Sequence, residues 1–382
     1  MWINLSLSKY LEENHGEDIS MKQTKIIVCI MAIAYGILVL LAVCKPADDF
    51  SISERRKLAQ RPELTVATVK NGTFMTKTEE YVTDQFPFRD GFRSIKALFS
   101  FGVLGSNETN GIYYKNGYLA KMEYPMDEDS IHRAAGIFQN IHKRYLEGTD
   151  VKSYLCVIPD KNYVLAEDSQ LSMDYEEFIQ KTEEDMPFLT PVSIVESMDI
   201  SDYYRTDTHW KQEEIIDVAA KLAASMDVPF NGSFEYKELE SPFYGVYYGQ
   251  AALPVAADKI KYCTNEVLDA CVVYDYENNK EIPLYDISKA AGRDPYELFL
   301  GGNISLAVID SPKAYTSKEL VVFGDSFARS LLPLLAESYG KITMIDIRYL
   351  PSMSVGNYVT FENQDVLFLY STSVLNNSIT LK

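Results

Sequence analysis

The stretch KELVVFGDSFARSLLPLLAESYG, residues 318–340, decides how the rest of the chain is read. Residues 320–323 form a short apolar run of the kind found in strands buried on both faces, and 328–338 carry the Leu and Ala of a helix. Gly324 stands at the joint. A strand-to-helix corner there puts Ser326 near the first turn, where free backbone N–H groups favour developing negative charge. That suits a nucleophile whose attack creates an oxyanion. Asp325 and Ser326 are also preferred N-cap residues, so the corner reads as a helix cap too.

Outward from this corner, apolar runs of buried-strand type recur at 304–309, 342–347 and 366–370, and VKSYLCVIPDKN places another ending at Pro159-Asp160. Helical or loop text separates them. This order favours an α/β fold, a parallel sheet with helices on its faces. Residues 132–147 read as an amphipathic helix, GIYYKNGYLAKME (111–123) as a hairpin around Asn116-Gly117, and 255–285 as a β-rich insertion. Residues 75–102 read as a short helix, a loop at Phe86-Pro87-Phe88 and a second helix from Asp90. No internal repeat and no low-complexity tract is present.

The chain has 382 residues, 47% hydrophobic and 12% aromatic, a globular composition. With 36 basic against 55 acidic residues its net charge is -19, which excludes a nucleic-acid partner because no phosphate-neutralising excess exists. A neutral polymer or a cation-coated surface is compatible. IIVCIMAIAYGILVLLAVC, residues 26–44, has no charge and is long enough to span a hydrocarbon core of roughly 30 Å. It reads as an uncleaved membrane anchor. Its flanks do not fix orientation, since Lys22 and Lys25 precede it and Arg55, Arg56 and Lys57 follow. The economical topology leaves a short cytoplasmic tail (1–25) and an extracytoplasmic C-terminal part; alternatively residues 1–20 are extra and the true start is Met21. Residues 45–84 read as a lead-in arm and 85–382 as the catalytic domain.

Cys156, Cys263 and Cys271 lie outside the span. Cys263 and Cys271 could face each other across a hairpin, and no Cys/His cluster suggests a metal site. Of four histidines, only His209 lies beside an acid in a loop, in DISDYYRTDTHWKQEE. Asp207, two residues before it, can orient one ring nitrogen while the other takes a proton from a serine. Asp207 is equally a helix cap, and His209 could be a satisfied polar residue. Taken together, Ser326, His209 and Asp207 supply nucleophile, base and orienter for acyl transfer.

RTDTHW and VVFGDSFARS, with SERRKLAQRPE, YVTDQFPFRD, SPFYGVYYGQ and YELFLGGN, resemble the DHHW family, related to the alginate O-acetyltransferase proteins of the SGNH-hydrolase-like group. The resemblance runs from about residue 50 to the C-terminus. Thr208 stands where the family name has a His. The resemblance implies an SGNH-like α/β fold with the Asp-His block before the Ser block. It implies Ser326 as nucleophile, His209 as base and Asp207 as orienter. For the oxyanion hole the Ser326 amide comes first. Arg348 and Tyr370 stand at the ends of the next two strands, on the ligand-binding edge of open α/β sheets, where a surface salt bridge and a packed aromatic are the plain alternatives. Gly301, Gly302 and Asn303 form another polar turn.

The expected function is a membrane-anchored O-acyltransferase moving acetyl groups onto an extracellular polysaccharide, without a bound cofactor or metal. By resemblance, a multipass membrane-bound O-acyltransferase would supply the acetyl group. A carbohydrate acetylesterase and a non-catalytic glycan-binding scaffold are the alternatives. Tyrosines at 203–204 and 244–248 could stack on sugar rings or pack in the core.

Overall fold

The computed structural model describes residues 2–166 and 171–382, with side chains from Gln23 onward. The chain divides into two compact units, one of residues 1–52 and 56–95, the other of 53–55 and 96–382. In the first, a single helix runs Trp2–Cys44 and its segment Gln23–Cys44 is long and apolar enough to cross a membrane, with no part of it buried by protein. The side chains of 2–22, read above as a tail or an extension ahead of Met21, lie outside the described residues. Past the helix, a two-residue ladder pairs Phe50–Ser51 with Arg56–Lys57, and Asp84 receives Arg56 and the Ala59 N–H.

The second unit is built on an eight-stranded sheet. Numbered along the chain within this sheet, its strands are β1 (Lys152–Ile158), β2 (Thr190–Pro191), β3 (Val272–Asp275), β4 (Lys280–Ile282), β5 (Leu306–Asp310), β6 (Glu319–Gly324), β7 (Lys341–Ile345) and β8 (Asp365–Ser371). The order is β4-β3-β5-β7-β6-β8-β1-β2. β7, β6, β8, β1 and β2 are parallel, whereas β5, β3 and β4 add an antiparallel wing. The apolar run at 304–309 therefore enters the sheet antiparallel to its neighbour β7, not parallel. A strand buried on both faces carries the same pattern in either direction. The stretch read as a β-rich insertion divides: Lys261–Thr264 pairs with Glu235–Glu238 outside the main sheet, and β3 and β4 extend the main sheet itself.

Alternation along the strands makes two cores. Leu320 and Val322 of β6 face the helices Ile216–Ser225 and Ala328–Leu335, while Val321 and Phe323 face Glu128–Ile141 and Tyr175–Asp185. Both faces of the sheet are covered, so the central strands read as continuous apolar text. The amphipathic helix begins at Glu128, earlier than its apolar pattern, because Asp127 caps it through the Ser130 N–H. Ile112–Lys115 and Tyr118–Lys121 make the hairpin, with Asn116 and Gly117 both at positive φ as a two-residue turn of this hand requires. Four parallel strands end on one edge, and within three residues of those ends stand Lys161 after β1, Ser326 after β6, Arg348 after β7 and Thr372 after β8. Cys263 and Cys271 are free thiols.

Candidate active site

The corner after β6 is set by Asp325. Its Oδ1 accepts the Phe327 N–H at 3.0 Å, and its Oδ2 accepts the N–H and hydroxyl of Ser371 at 2.8 and 2.7 Å. Asp325 thus closes the turn ahead of the helix Ala328–Leu335, whose N-cap Phe327 has no side-chain cap, and ties the corner to β8, leaving the Ser326 hydroxyl for another partner. That partner is His209. Ser326 Oγ lies 2.8 Å from His209 Nε2, and His209 Nδ1 lies 2.6 Å from Asp207 Oδ1. Asp207 is fully buried, His209 is 8% exposed and Ser326 is half-buried, so the chain of three opens to solvent at the serine. The Ser326 N–H donates to no protein acceptor among the described residues.

The loop holding Asp207 and His209 is fastened at both ends. Tyr203 bridges Trp210, and the Trp210 indole donates to Phe327 O (3.1 Å) and Ser330 Oγ (2.9 Å), joining the residue after His209 to the helix after Ser326. Thr206 donates its hydroxyl to Asp258 and accepts the Gly245 N–H. A Cβ at Gly245 would lie 2.3 Å from Asp207 Cβ, so only glycine lets the segment 245–246 come close enough for the Val246 N–H to reach Asp207 Oδ2 at 2.8 Å. Tyr296 stacks on the imidazole, centroids 3.9 Å apart and planes within 9°, with its hydroxyl on Ser330 Oγ. That ring fixes the imidazole plane that points Nε2 at Ser326. Thr208, where the DHHW name has its first His, accepts a hydrogen bond from Tyr247.

Asp207 is the electrostatic centre. Its burial would raise the carboxyl, but His209, through charge and hydrogen bond, and then Arg55 outweigh this and hold it well below the usual carboxylate range. The Arg55 guanidinium, 11% exposed, stands 3.1 Å from Asp207 Oδ2 and 2.9 Å from Asp294 Oδ1, and donates to Tyr244 O. Lys161, 1% exposed, donates from Nζ to the Asp207 carbonyl (2.6 Å) and to Leu119 O (2.8 Å).

The other sequence candidates stand apart. Arg348 is bidentate on Asp346, at 2.9 Å from Nε and 2.7 Å from its terminal nitrogen, and lines a cleft of about 420 Å³ with Tyr349, Ser373 and Asn377. Tyr370 is fully buried against Phe138, and its hydroxyl has no partner among the described residues. Asn303 is exposed and donates to Glu297, and a Cβ at Gly302 would meet the Glu297 side chain at 2.6 Å. Among the described residues no hydrogen bond joins Gly302 or Asn303 to the Ser326–His209–Asp207 chain. Tyr203, Tyr204 and Tyr247 are core residues, whereas Tyr244 and Tyr248 pack ring on ring at 4.6 Å with Tyr244 exposed.

Arg55, Lys161, Asp294 and Tyr296 escaped the reading by spacing. Arg55 and Tyr296 do lie in two quoted blocks of the family resemblance, SERRKLAQRPE and YELFLGGN, and Gly245 in a third, SPFYGVYYGQ.

No protein-family model matches the chain, and no curated protein matches it. Solved structures do. A DHHW family protein from Eubacterium siraeum superposes with a TM-score of 0.57 and 19% identity, over 70% of this chain and 93% of that one. PatB1 from Bacillus cereus gives 0.55 and 17%, over 69% and 96%, and is also known with a sulfonyl adduct. The DHHW-type fold read from the sequence is the fold these structures share. The O-acetyltransferase domain of Pseudomonas putida AlgJ superposes at 0.41 with 12% identity, too loosely to carry an argument.

Proposed function

We propose that the chain is a membrane-anchored serine O-acyltransferase whose catalytic unit faces the extracytoplasmic side and acetylates a polysaccharide. The observation that supports it is the continuous hydrogen-bond chain from Ser326 Oγ through the His209 ring to Asp207 Oδ1. In this reading Ser326 Oγ attacks the carbonyl carbon of the acyl donor while His209 Nε2 takes the hydroxyl proton. The tetrahedral oxyanion meets the Ser326 N–H. The proton on Nε2 passes to the leaving group as the C–O or C–S bond breaks, leaving an acyl-serine. A sugar hydroxyl then repeats the attack, giving its proton to Nε2, and the serine recovers that proton on release. Asp207 Oδ1 accepts the Nδ1–H throughout and stabilises the imidazolium.

The acyl chemistry rests on this geometry. The acetyl group, the polysaccharide acceptor and a multipass membrane-bound acyltransferase as donor partner rest on the resemblance to alginate O-acetyltransferase proteins. The anchor rests on the apolar helix Gln23–Cys44. Intact-mass measurement of the full chain with an activated acetyl ester tests the reading: an added acetyl group on Ser326, lost in Ser326→Ala and discharged faster by oligosaccharide than by water, is expected. Ser326→Ala should cut turnover roughly a million-fold. Discharge by water alone, at a rate oligosaccharide leaves unchanged, would make the protein an esterase instead.

A further inference from the structure

The three residues Ser53–Arg55 follow the membrane helix closely in sequence yet belong to the compact unit that holds the site. They are seated there by sterics. A Cβ at Gly249 would lie 1.5 Å from the Ser53 carbonyl oxygen, so the helix Val246–Ala251 can receive this segment only with glycine at that position. The first residue of the same helix, Val246, donates its N–H to Asp207 Oδ2. Arg55 stands at φ +51, a left-handed conformation uncommon for a residue with a Cβ, and this directs the segment inward.

What the guanidinium finds there is asymmetric. Asp207 and Asp294 both approach one terminal nitrogen, at 3.1 and 2.9 Å, and the other nitrogen donates to the Tyr244 carbonyl. The ring of Phe243 lies beneath the cation at 5.5 Å. Asp294 is itself held by the Tyr296 N–H, and Tyr296 is the ring stacked on His209. One cation therefore touches the acid that orients the imidazole and the acid that starts the turn carrying its stacking partner. Without it, two carboxylates would face each other, Asp207 fully buried and Asp294 a quarter exposed, and one would turn away or take up a proton.

We propose that Arg55 is a positioning residue for the acyl-transfer reaction: it fixes Asp207 Oδ2, so that Oδ1 stays on His209 Nδ1, and joins Asp207 to the Asp294–Tyr296 turn. The juxtamembrane segment thereby completes the catalytic unit. This inference rests on the serine-nucleophile reading above, and its test keeps the two apart.

The test follows the rate at which a sulfonyl fluoride modifies Ser326 in the detergent-solubilised full chain, by intact mass and peptide mapping. In this reaction Ser326 Oγ displaces fluoride from sulfur and His209 removes the hydroxyl proton, so the rate reports on the ordered triad without needing the natural substrate. Arg55→Ala is expected to slow modification roughly ten- to a hundred-fold, the effect of one charged hydrogen-bond partner. Millimolar guanidinium chloride should restore part of that loss, and sodium chloride at equal concentration none. Arg55→Lys keeps the charge without the fork and is expected to fall between; it also carries the test if the alanine variant does not fold. Modification of Arg55→Ala or Arg55→Lys at the wild-type rate, or identical responses to the two salts, would overturn the role of Arg55 and leave the serine reading standing. A wild-type chain left unmodified at Ser326 would overturn the serine reading and this inference with it.

Discussion

Asp207 and Asp346 are both fully buried carboxylates set beside arginine near the carboxyl edge of the sheet, and they spend their oxygens differently. Asp346 Oδ1 accepts the Arg348 N–H and Nε–H, and Oδ2 accepts the terminal nitrogens of Arg348 (2.7 Å) and Arg329 (3.5 Å). Arg348 follows the end of β7 by three residues, and Arg329 lies in the first turn of the helix after β6. Among the described residues, all of the Asp346 side-chain bonds go to one local backbone N–H and two guanidinium groups, and none reaches a group that could move a proton. Asp207 divides its oxygens. Oδ1 goes to the ring and N–H of His209, and Oδ2 goes to Arg55 and the Val246 N–H. A buried acid balanced wholly by arginine is a structural joint. One that reserves an oxygen for an imidazole can stabilise the imidazolium formed when a serine gives up its proton.

The largest effect that could break this comparison is at Asp207. Asp207→Asn keeps shape and can still accept from Arg55, but it no longer holds His209 in the tautomer whose Nε2 accepts from Ser326. Turnover of an activated acetyl ester per folded molecule should fall about 10⁴-fold, with the far-ultraviolet spectrum close to wild type. A loss of only a few-fold would place Asp207 with Asp346, among the structural joints.

Asp346→Asn should show the opposite balance. It leaves Arg329 and Arg348 without the one carboxylate that both pair with, and breaking such a pair destabilises by about 3 kcal/mol. Denaturant titration is expected to show that loss while activity per folded molecule stays within a few-fold. Should activity collapse instead, Arg348 would be acting on the reaction from the cleft wall, and the division between the two acids would need redrawing.

Much of this was legible before any coordinates, for reasons particular residues make plain. The corner at 324–326 announces itself because a four-residue apolar run followed by Gly-Asp-Ser admits few backbones. The meeting of Ser326 with His209 could be anticipated because the chain has only four histidines and one of them stands beside an acid in a loop. The parallel core of the sheet could be read from apolar runs alternating with helical text. The direction of β5 could not, since burial on both faces erases the cue. Arg55, Lys161 and the turn that carries Asp294 and Tyr296 were illegible by spacing because they converge on Asp207 and His209 from three separate elements, Asp294 by way of Arg55, and only the closed tertiary structure brings them together. Arg55 in particular sits in a charged stretch, whose composition marks a solvated arm until a glycine far along the chain makes room for it.

Lys161 offers the smallest and most graded test of how the surroundings of Asp207 differ from those of Asp346. Its amine is buried with the Asp207 carbonyl, the Leu119 carbonyl and the Tyr247 ring around it. Burial lowers it to about 7, against the opposing pull of Asp207, Asp258 and Asp160. In the unfolded chain the same group titrates near about 10.4. Between those values the unfolded state binds a proton that the native state lacks, so the free energy of unfolding should rise with pH across that window and lose the gain as pH falls through about 7. The raised carboxyls of Asp160, about 6, and Glu213, about 7, finish titrating at the lower end of the window and act in the opposite direction below it. Urea titrations followed by the fluorescence of buried Trp210 at about pH 7.5 and about pH 9.5 should show wild type gaining stability relative to Lys161→Met as pH rises, the thiols of Cys156, Cys263 and Cys271, raised by burial, pulling both proteins down alike. An unchanged slope in the variant would mean that the cation beneath Asp207 is fully charged throughout, as the arginines around Asp346 are, and that the two acids are balanced alike after all.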